Sequence, residues 1–175
     1  MQKVKLPKQV DPVKSATKCS EYEGIMLTSD MPRLLDAVAD IAEEIEIELK
    51  FNKDEQGLTY FHGHMASSAS LLCQRCNNVF AHQIDVSFCF SPVQGTDSKD
   101  LDELPDAYEP VEVDDQGEIN LIQTFEDELI LSLPIVALHA EEDCQVKRDE
   151  MSFGKIEPAD ERPNPFAVLK ELKRD

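Results

Sequence analysis

The chain has 175 residues, of which 41% are apolar, and its 36 acidic and 17 basic side chains give a net charge of -19. This length predicts one ordinary domain with its own core. The apolar runs are too short to span a membrane and the start, MQKVKLPKQV, lacks the apolar stretch of a signal peptide, so we expect a cytoplasmic protein. The charge excludes non-specific attraction of the whole molecule to a polyanion.

A short helix and a strand are the first predicted elements. In MPRLLDAVADIA the apolar residues recur at helical spacing after Ser29 and Asp30, which favours a short amphipathic helix. In EIEIELKF, at residues 44–51, apolar side chains alternate with charged ones, and this period of two is typical of a strand with one wet face. The turn residues NKDEQG then predict a reversal of the chain.

Two further strands and a helix follow. LTYFHGHMASSASLLC is rich in strand-forming residues at both ends, and IDVSFCF places the apolar residues of 84–90 on one side. These runs indicate an antiparallel meander. The period becomes helical in NLIQTFEDELILSLP, which begins at Asn120, a good N-cap, and ends at Pro134. We expect this helix to lie across the sheet.

Together the elements predict an α+β fold: an antiparallel β meander or partly closed barrel packed by one long helix, with short flanking helices. A single domain is expected at residues 1–150, with an acidic loop at 96–118. A C-terminal linker and short helix are expected at 151–175, where Asn164 caps the helix and Pro165 occupies its first position.

The cysteines carry the main chemical signal. A reducing cytoplasm and an odd number, five, predict thiols or metal ligands rather than disulfides. Cys73 and Cys76 in LLCQRCNNVF are spaced as half of a tetrahedral zinc site. His139 and Cys144 in LHAEEDC are the donors expected to complete a Cys3His set. The alternative donors are His62, His64 and His82.

Two other interpretations of CQRC stay open. A redox dithiol needs a thiol with a low pKa, normally at a helix N-terminus, whereas this motif falls between strands. Unmetallated thiols kept on a turn for packing are the second. The sequence has no glycine-rich phosphate loop, no nucleophile elbow and no His pair at zincin spacing, so we do not expect an enzyme.

Several blocks along nearly the whole chain resemble one known family. They are MQKVKLPKQVDPVKSA, CQRC followed by FCFSPV, LPDAYEPVEVDDQGEINL, EDELILSLPIV and RPNPFAVLKELKR. In order and spacing they resemble the YceD family, the large ribosomal RNA subunit accumulation proteins of bacteria. The resemblance implies a non-enzymatic cytoplasmic factor needed for synthesis, processing or stability of 23S ribosomal RNA. Many members have a second cysteine cluster after the LP that ends the helix, where this sequence has His139 and Cys144.

Charge suggests two routes by which such a factor reaches pre-ribosomal large-subunit RNA. A local basic patch binds phosphate directly, or the acidic loop holds a basic ribosomal protein or an rRNA-processing factor, and the net charge favours the acidic route. The candidate basic residues are Lys3, Lys5, Lys8 and Arg75, with Lys170, Lys173 and Arg174 near the C-terminus. The candidate acidic residues are Asp102, Glu103, Asp106 and Glu109. The alternative functions are a zinc-binding RNA-binding module and a metal-dependent hydrolase centred on His62 and His64.

Overall fold

The structure, a computed structural model, describes residues 4–95, 104–146 and 154. The chain divides into two compact units, Met1–Cys144 and Gln145–Asp175, and all the elements given below belong to the first. The predicted linker and short helix at 151–175 fall outside the described residues, apart from Gly154. They therefore stay predictions, as does the boundary at residue 150.

A mixed β-sheet forms the centre of the first unit. Its strands lie in the order β2–β4–β5–β6–β7, and β3 pairs with β5. Their bounds are β2 (Glu21–Leu27), β3 (Asp40–Ile41), β4 (Glu44–Lys53), β5 (Thr59–Leu72), β6 (Val79–Val93) and β7 (Glu109–Glu112). A separate two-stranded ribbon pairs β1 (Gln9–Val10) with β8 (Ile119–Asn120).

Three α-helices accompany these strands in the described part of the chain: α1 (Pro12–Thr17), α2 (Pro32–Ala37) and α3 (Leu121–Ser132). The predicted N-cap of α3 is confirmed, because the Asn120 side chain accepts a hydrogen bond from the N–H of Gln123 at 3.2 Å. Among the described residues, no helix combines the length and the apolar character needed to cross a membrane.

The core lies on one face of the sheet. In β4 the burial of side chains alternates along the strand as the sequence predicts, and Phe51 at its end stacks on Phe61 of β5 with ring centroids 5.2 Å apart. Helix α3 adds Phe125, whose ring lies 5.0 Å from that of Phe88 in β6. Burial of these apolar side chains is the main source of stability.

The α+β class is confirmed, but three finer expectations were wrong. The sheet is not purely antiparallel, because β7 pairs with β6 in parallel, an arrangement that a tight hairpin turn cannot produce. Among the described strands, β2 and β7 lie at opposite ends of the strand order and do not pair with each other, so there is no closed barrel. The predicted long packing helix is not seen: α3 has 12 residues and stops where Pro134 holds Leu133 in an extended conformation.

The early amphipathic helix is also shorter than its pattern suggested. Helix α2 ends at Ala37, and the chain is extended from Val38 onward. The N–H of Ala39 donates to Ser70 O at 2.9 Å, and β3 then pairs with β5. Pairing with a neighbouring strand here outweighs local helix propensity.

Candidate metal centre

The CQRC turn closes the hairpin between β5 and β6. The N–H of Cys73 donates to Asn78 O at 2.9 Å, and the N–H of Asn77 donates to Cys73 O at 2.8 Å. Asn77 has a φ of 63°, in the left-handed region that Asn enters at less cost than most residues. This tight turn holds the thiols of Cys73 and Cys76 near each other.

The segment that follows α3 brings a second pair of donors to this turn. The N–H of Gln74 donates to Ala137 O at 2.8 Å, and Nη2 of Arg75 donates to His139 O at 3.2 Å. The ring of Phe80 stacks on that of His139 with centroids 5.6 Å apart. The two residues between the cysteines therefore position the loop that carries the histidine.

Four donor atoms meet at this place. The potential ligand atoms of Cys73, Cys76, His139 and Cys144 all lie within 4.8 Å of one another, and Cys76 Sγ lies 3.0 Å from His139 Nε2. A zinc–sulfur bond of about 2.3 Å places neighbouring tetrahedral ligands about 3.8 Å apart. Donor atoms that all lie within 4.8 Å of one another are close enough for one tetrahedral metal ion to reach all four, so the donor set fits such an ion.

The environment of Cys73 favours its thiolate. Complete burial of the side chain acts to raise its pKa. Hydrogen bonds from the backbone N–H groups of Cys76, Arg75 and His139, together with the Cys76 side chain, outweigh this and lower the pKa of Cys73 to about 6. The thiolate is the form that binds metal, so this cysteine is prepared as a ligand at neutral pH.

The donor set is closed rather than open. Cys73 and Cys144 are buried, and Cys76 and His139 are half-buried. Four protein ligands fill the tetrahedron of a structural zinc ion, whereas a catalytic zinc ion keeps one position for water or substrate. The arrangement can therefore cross-link the hairpin tip to the loop, and it offers no vacant position for substrate.

The alternative histidine donors do not join this cluster. His64 Nε2 lies 2.7 Å from Asp85 Oδ1, across the β5–β6 pair. His62 stacks on Tyr60 with ring centroids 5.6 Å apart, and His82 pairs in register with Ala69. In the described part of the chain the Cys3His cluster is the one group of metal-binding side chains found.

The side chain of Arg75 forms hydrogen bonds beside the cluster. Its side chain is only 10% exposed, and besides His139 it contacts Glu141 Oε1 at 3.5 Å. This contact leaves little of the guanidinium open to phosphate, the role considered from the sequence. Sequence reasoning also missed Gln74 and Phe80, because nothing in their local pattern tells which distant loop they contact.

The other candidate partner residues are dispersed. Lys8 Nζ forms an ion pair with Asp30 Oδ1 at 2.9 Å. The backbone of Lys5 forms an isolated parallel β-bridge with Ile25 of β2. Asp106 and Glu109 lie in the part of the acidic loop that the structure describes, and both are exposed. Lys3, Asp102, Glu103, Lys170, Lys173 and Arg174 lie outside the described residues.

The fold and the cluster define a small α+β protein with a closed four-donor Cys3His centre. The family model "Large ribosomal RNA subunit accumulation protein YceD" matches residues 61–173. A protein of the same name from Haemophilus influenzae is 42% identical over 175 aligned positions, with 99% of each chain covered. The chain belongs to the YceD family, as the sequence blocks indicated. No solved structure matches it significantly.

Proposed function

We propose that this chain is a ribosome-biogenesis factor required for the accumulation of large-subunit ribosomal RNA in the cytoplasm. The observation that carries the proposal is its similarity to the Haemophilus influenzae protein named for that role, 42% identity over 99% of both chains. Similarity over the whole length supports a shared role better than a shared motif does, because a fold alone does not fix function.

The factor acts by binding rather than by catalysis, and its Cys3His cluster holds a structural zinc ion. Support comes from the donor chemistry and from the closed ligand set, since all four donors come from the protein. The ion would join the β5–β6 hairpin to the loop after α3. Formation of such a site would stabilise the folded arrangement of the two segments that it joins.

The acidic side of the molecule supports a basic protein partner. A groove of about 720 Å3 lies between β7 and α3, and no Lys or Arg is among its lining residues in the described chain. Its carboxylates are Glu109, Glu112, Asp114, Asp115, Glu118, Asp127 and Glu128. Burial raises the pKa of Glu128, and repulsion from Glu109 raises it further. A basic ribosomal protein or processing factor would relieve this repulsion.

Direct phosphate binding has weaker support. Of the described candidate cations, Lys8 is paired with Asp30 and Arg75 is bonded to His139 and Glu141. A net charge of -19 opposes the approach of RNA at long range. The zinc-binding RNA-binding module therefore remains the second candidate.

The role itself is tested in cells that lack the protein. We expect the ratio of large-subunit to small-subunit ribosomal RNA to fall on deletion and to recover when this chain is supplied. The measurement is quantitative gel or sequencing of total RNA. An unchanged ratio in the deletion strain would refute the proposed role.

The route is tested by matched charge variants. Asp106→Asn with Glu109→Gln should weaken binding to RNase-treated precursor fractions of the large subunit, whereas Glu21→Gln with Glu23→Gln, on β2, removes the same charge and should not. Lys5→Glu with Lys8→Glu should leave that binding intact. Tight binding to naked large-subunit RNA that only the lysine changes abolish would favour the direct route.

Catalysis is tested separately. We expect the pure protein to cleave neither ribosomal RNA nor generic phosphodiesters with magnesium, manganese or zinc, because no open metal site or positioned base stands out among the described residues. Turnover that disappears in the His62→Ala, His64→Ala double variant would establish the hydrolase instead.

A further inference from the structure

Large apolar side chains stand exposed around the metal centre. Of the nine such side chains found exposed in the described chain, five belong to this region, which we name the knuckle patch. They are Leu72 (51% exposed), Val79 (59%), Ile135 (95%), Val136 (56%) and Leu138 (46%). Scattered exposed apolar residues are ordinary, but a group of them marks an interaction surface.

The members of the knuckle patch are neighbours in space. Leu72 and Val79 face each other at the end of the β5–β6 hairpin. Val79 and Leu138 line one depression of about 650 Å3, which Phe80 also lines. The backbone O of Ile135 lies 3.5 Å from Gln74 Nε2, in the turn between the two strands. The hairpin and the loop therefore lie side by side, and Val79 of one and Leu138 of the other share a depression.

In the loop after α3 a small side chain is buried, whereas the larger apolar side chains next to it are exposed. Ala137 is buried, and its O accepts the hydrogen bond from Gln74, while the larger side chains of Val136 and Leu138 on either side point outward. A loop that only delivered His139 to the cluster could carry polar residues at these exposed positions. Large apolar residues there weaken solubility without filling a core, so packing does not explain them.

We propose that the knuckle patch docks a segment of a partner protein in which apolar anchors are flanked by Lys or Arg. The net charge of the chain, -19, attracts the basic residues of such a segment at long range. Close to the patch, Glu142 and Asp143 are exposed, and Asp143 lines the depression. An anionic lipid surface is disfavoured by the same charge. This inference goes beyond the proposed function and does not rest on it.

The test uses a labelled 12-residue peptide of alternating Leu and Lys, titrated against the full-length protein by fluorescence anisotropy. Two control peptides replace all Leu by Ser or all Lys by Glu. We expect the Leu/Lys peptide to bind, and each control to bind about tenfold more weakly, because both the anchors and the flanks contribute. Binding of the Ser peptide equal to that of the Leu/Lys peptide would reduce the effect to charge and overturn the proposal.

Variants of the protein then locate the binding surface. Val79→Ser with Leu138→Ser should weaken binding of the Leu/Lys peptide about tenfold, since truncated central anchors typically cost that much. Ile135→Ser changes a side chain that is 95% exposed and so removes little packing, and it should weaken binding in the same direction. The matched control is Val13→Ser on α1, where the side chain is 52% exposed, and it should leave binding unchanged.

Three further outcomes would overturn the proposal. The first is absence of peptide binding to the wild-type protein. The second is an equal effect of Val13→Ser and the patch variants. The third is another occupant: co-sedimentation with phosphatidylglycerol vesicles, or self-association in sedimentation velocity, that the patch variants abolish would assign the knuckle patch to a membrane or to a second copy of this chain.

Discussion

The core of the sheet and the region around the Cys3His cluster are stabilised by different interactions. We call the second region the tip; it consists of the turn at residues 73–78 and the loop that carries His139 and Cys144. In the core, Phe51, Phe61 and Phe125 are fully buried. The ring of Phe51 in β4 stacks on that of Phe61 in β5, and the ring of Phe125 in α3 packs against Phe88 of β6. At the tip the large apolar residues point outward, as Ile135 does at 95% exposed, and what is buried is thiol and small side chain. One region is held by apolar burial, and the other by hydrogen bonds and a ligand cluster.

The difference implies that the two regions respond to different perturbations. Apolar burial stabilises the whole cooperative unit, so a loss there is felt globally. A local cross-link stabilises the segment that it joins, and that segment can open while the core stays folded. Core variants should therefore change global unfolding strongly, and variants of the cluster should change mainly the tip.

The largest expected effect is that of Phe125→Ala. This change removes a fully buried ring that lies 5.0 Å from Phe88, and it should lower the free energy of unfolding by about 3–5 kcal/mol through lost burial and a residual cavity. Urea unfolding measures it. Leu131→Ala on the same helix, at a side chain 77% exposed, is the matched control and should stay within about 0.5 kcal/mol of the wild type.

An intermediate effect is expected at Glu126, the buried carboxylate that joins α3 to α2. It accepts hydrogen bonds from the N–H groups of Arg33 at 2.7 Å and Leu34 at 3.2 Å, and from the Arg33 guanidinium. Glu126→Gln should cost about 1–3 kcal/mol, less than for a fully buried pair because Arg33 is half-exposed. Asp127→Asn, which removes an exposed partner of the same arginine, should cost less.

The same carboxylate predicts a pH dependence. Burial alone would raise the pKa of Glu126, but the hydrogen bonds from Arg33 and Leu34 lower it below its ordinary value of 4.5. Because the folded pKa is the lower one, the stabilisation is fully present above 4.5 and is lost as the pH falls through the folded pKa. The stability gap between wild type and Glu126→Gln, measured in urea, should shrink in acid. A gap independent of pH would contradict this assignment.

The smallest global effect is expected at the tip. Cys76→Ser should lower the melting temperature by only about 2–4 °C, corresponding to about 1 kcal/mol for a chain of this size, if the loop opens without the core. Hydrogen exchange should increase in the turn at residues 73–78 and stay unchanged in β4. A loss of exchange protection throughout the sheet would show that tip and core form one cooperative unit.

The sequence was sufficient to predict the buried face of a core strand and the four donors of the cluster, but not the contacts that position the cluster. The alternation in β4 gave its buried face correctly, because a period of two follows from strand geometry alone. The four donors of the cluster were also named, because thiol and imidazole chemistry limits the choice. The contacts of Gln74 with Ala137 and of Phe80 with His139 could not be predicted, since they depend on where a distant loop returns.

The errors have the same origin. The parallel pairing of β7 and the replacement of helix by β3 at Asp40–Ile41 are both decided by strand partners that lie far away in sequence. Local propensity was outweighed in each case by long-range pairing. Pro134, by contrast, acts on its immediate neighbour, and the end of α3 near it was predicted correctly.

The most direct test of the account is the metal content of the purified protein, measured by mass spectrometry after expression without added metal. We predict about one equivalent of zinc per chain, because three thiols and an imidazole converge in a closed set. Cys76→Ser should lose the metal, and Cys19→Ser, at an exposed cysteine outside the cluster, should retain it. Metal-free wild-type protein, with a melting temperature that Cys76→Ser leaves unchanged, would contradict the account.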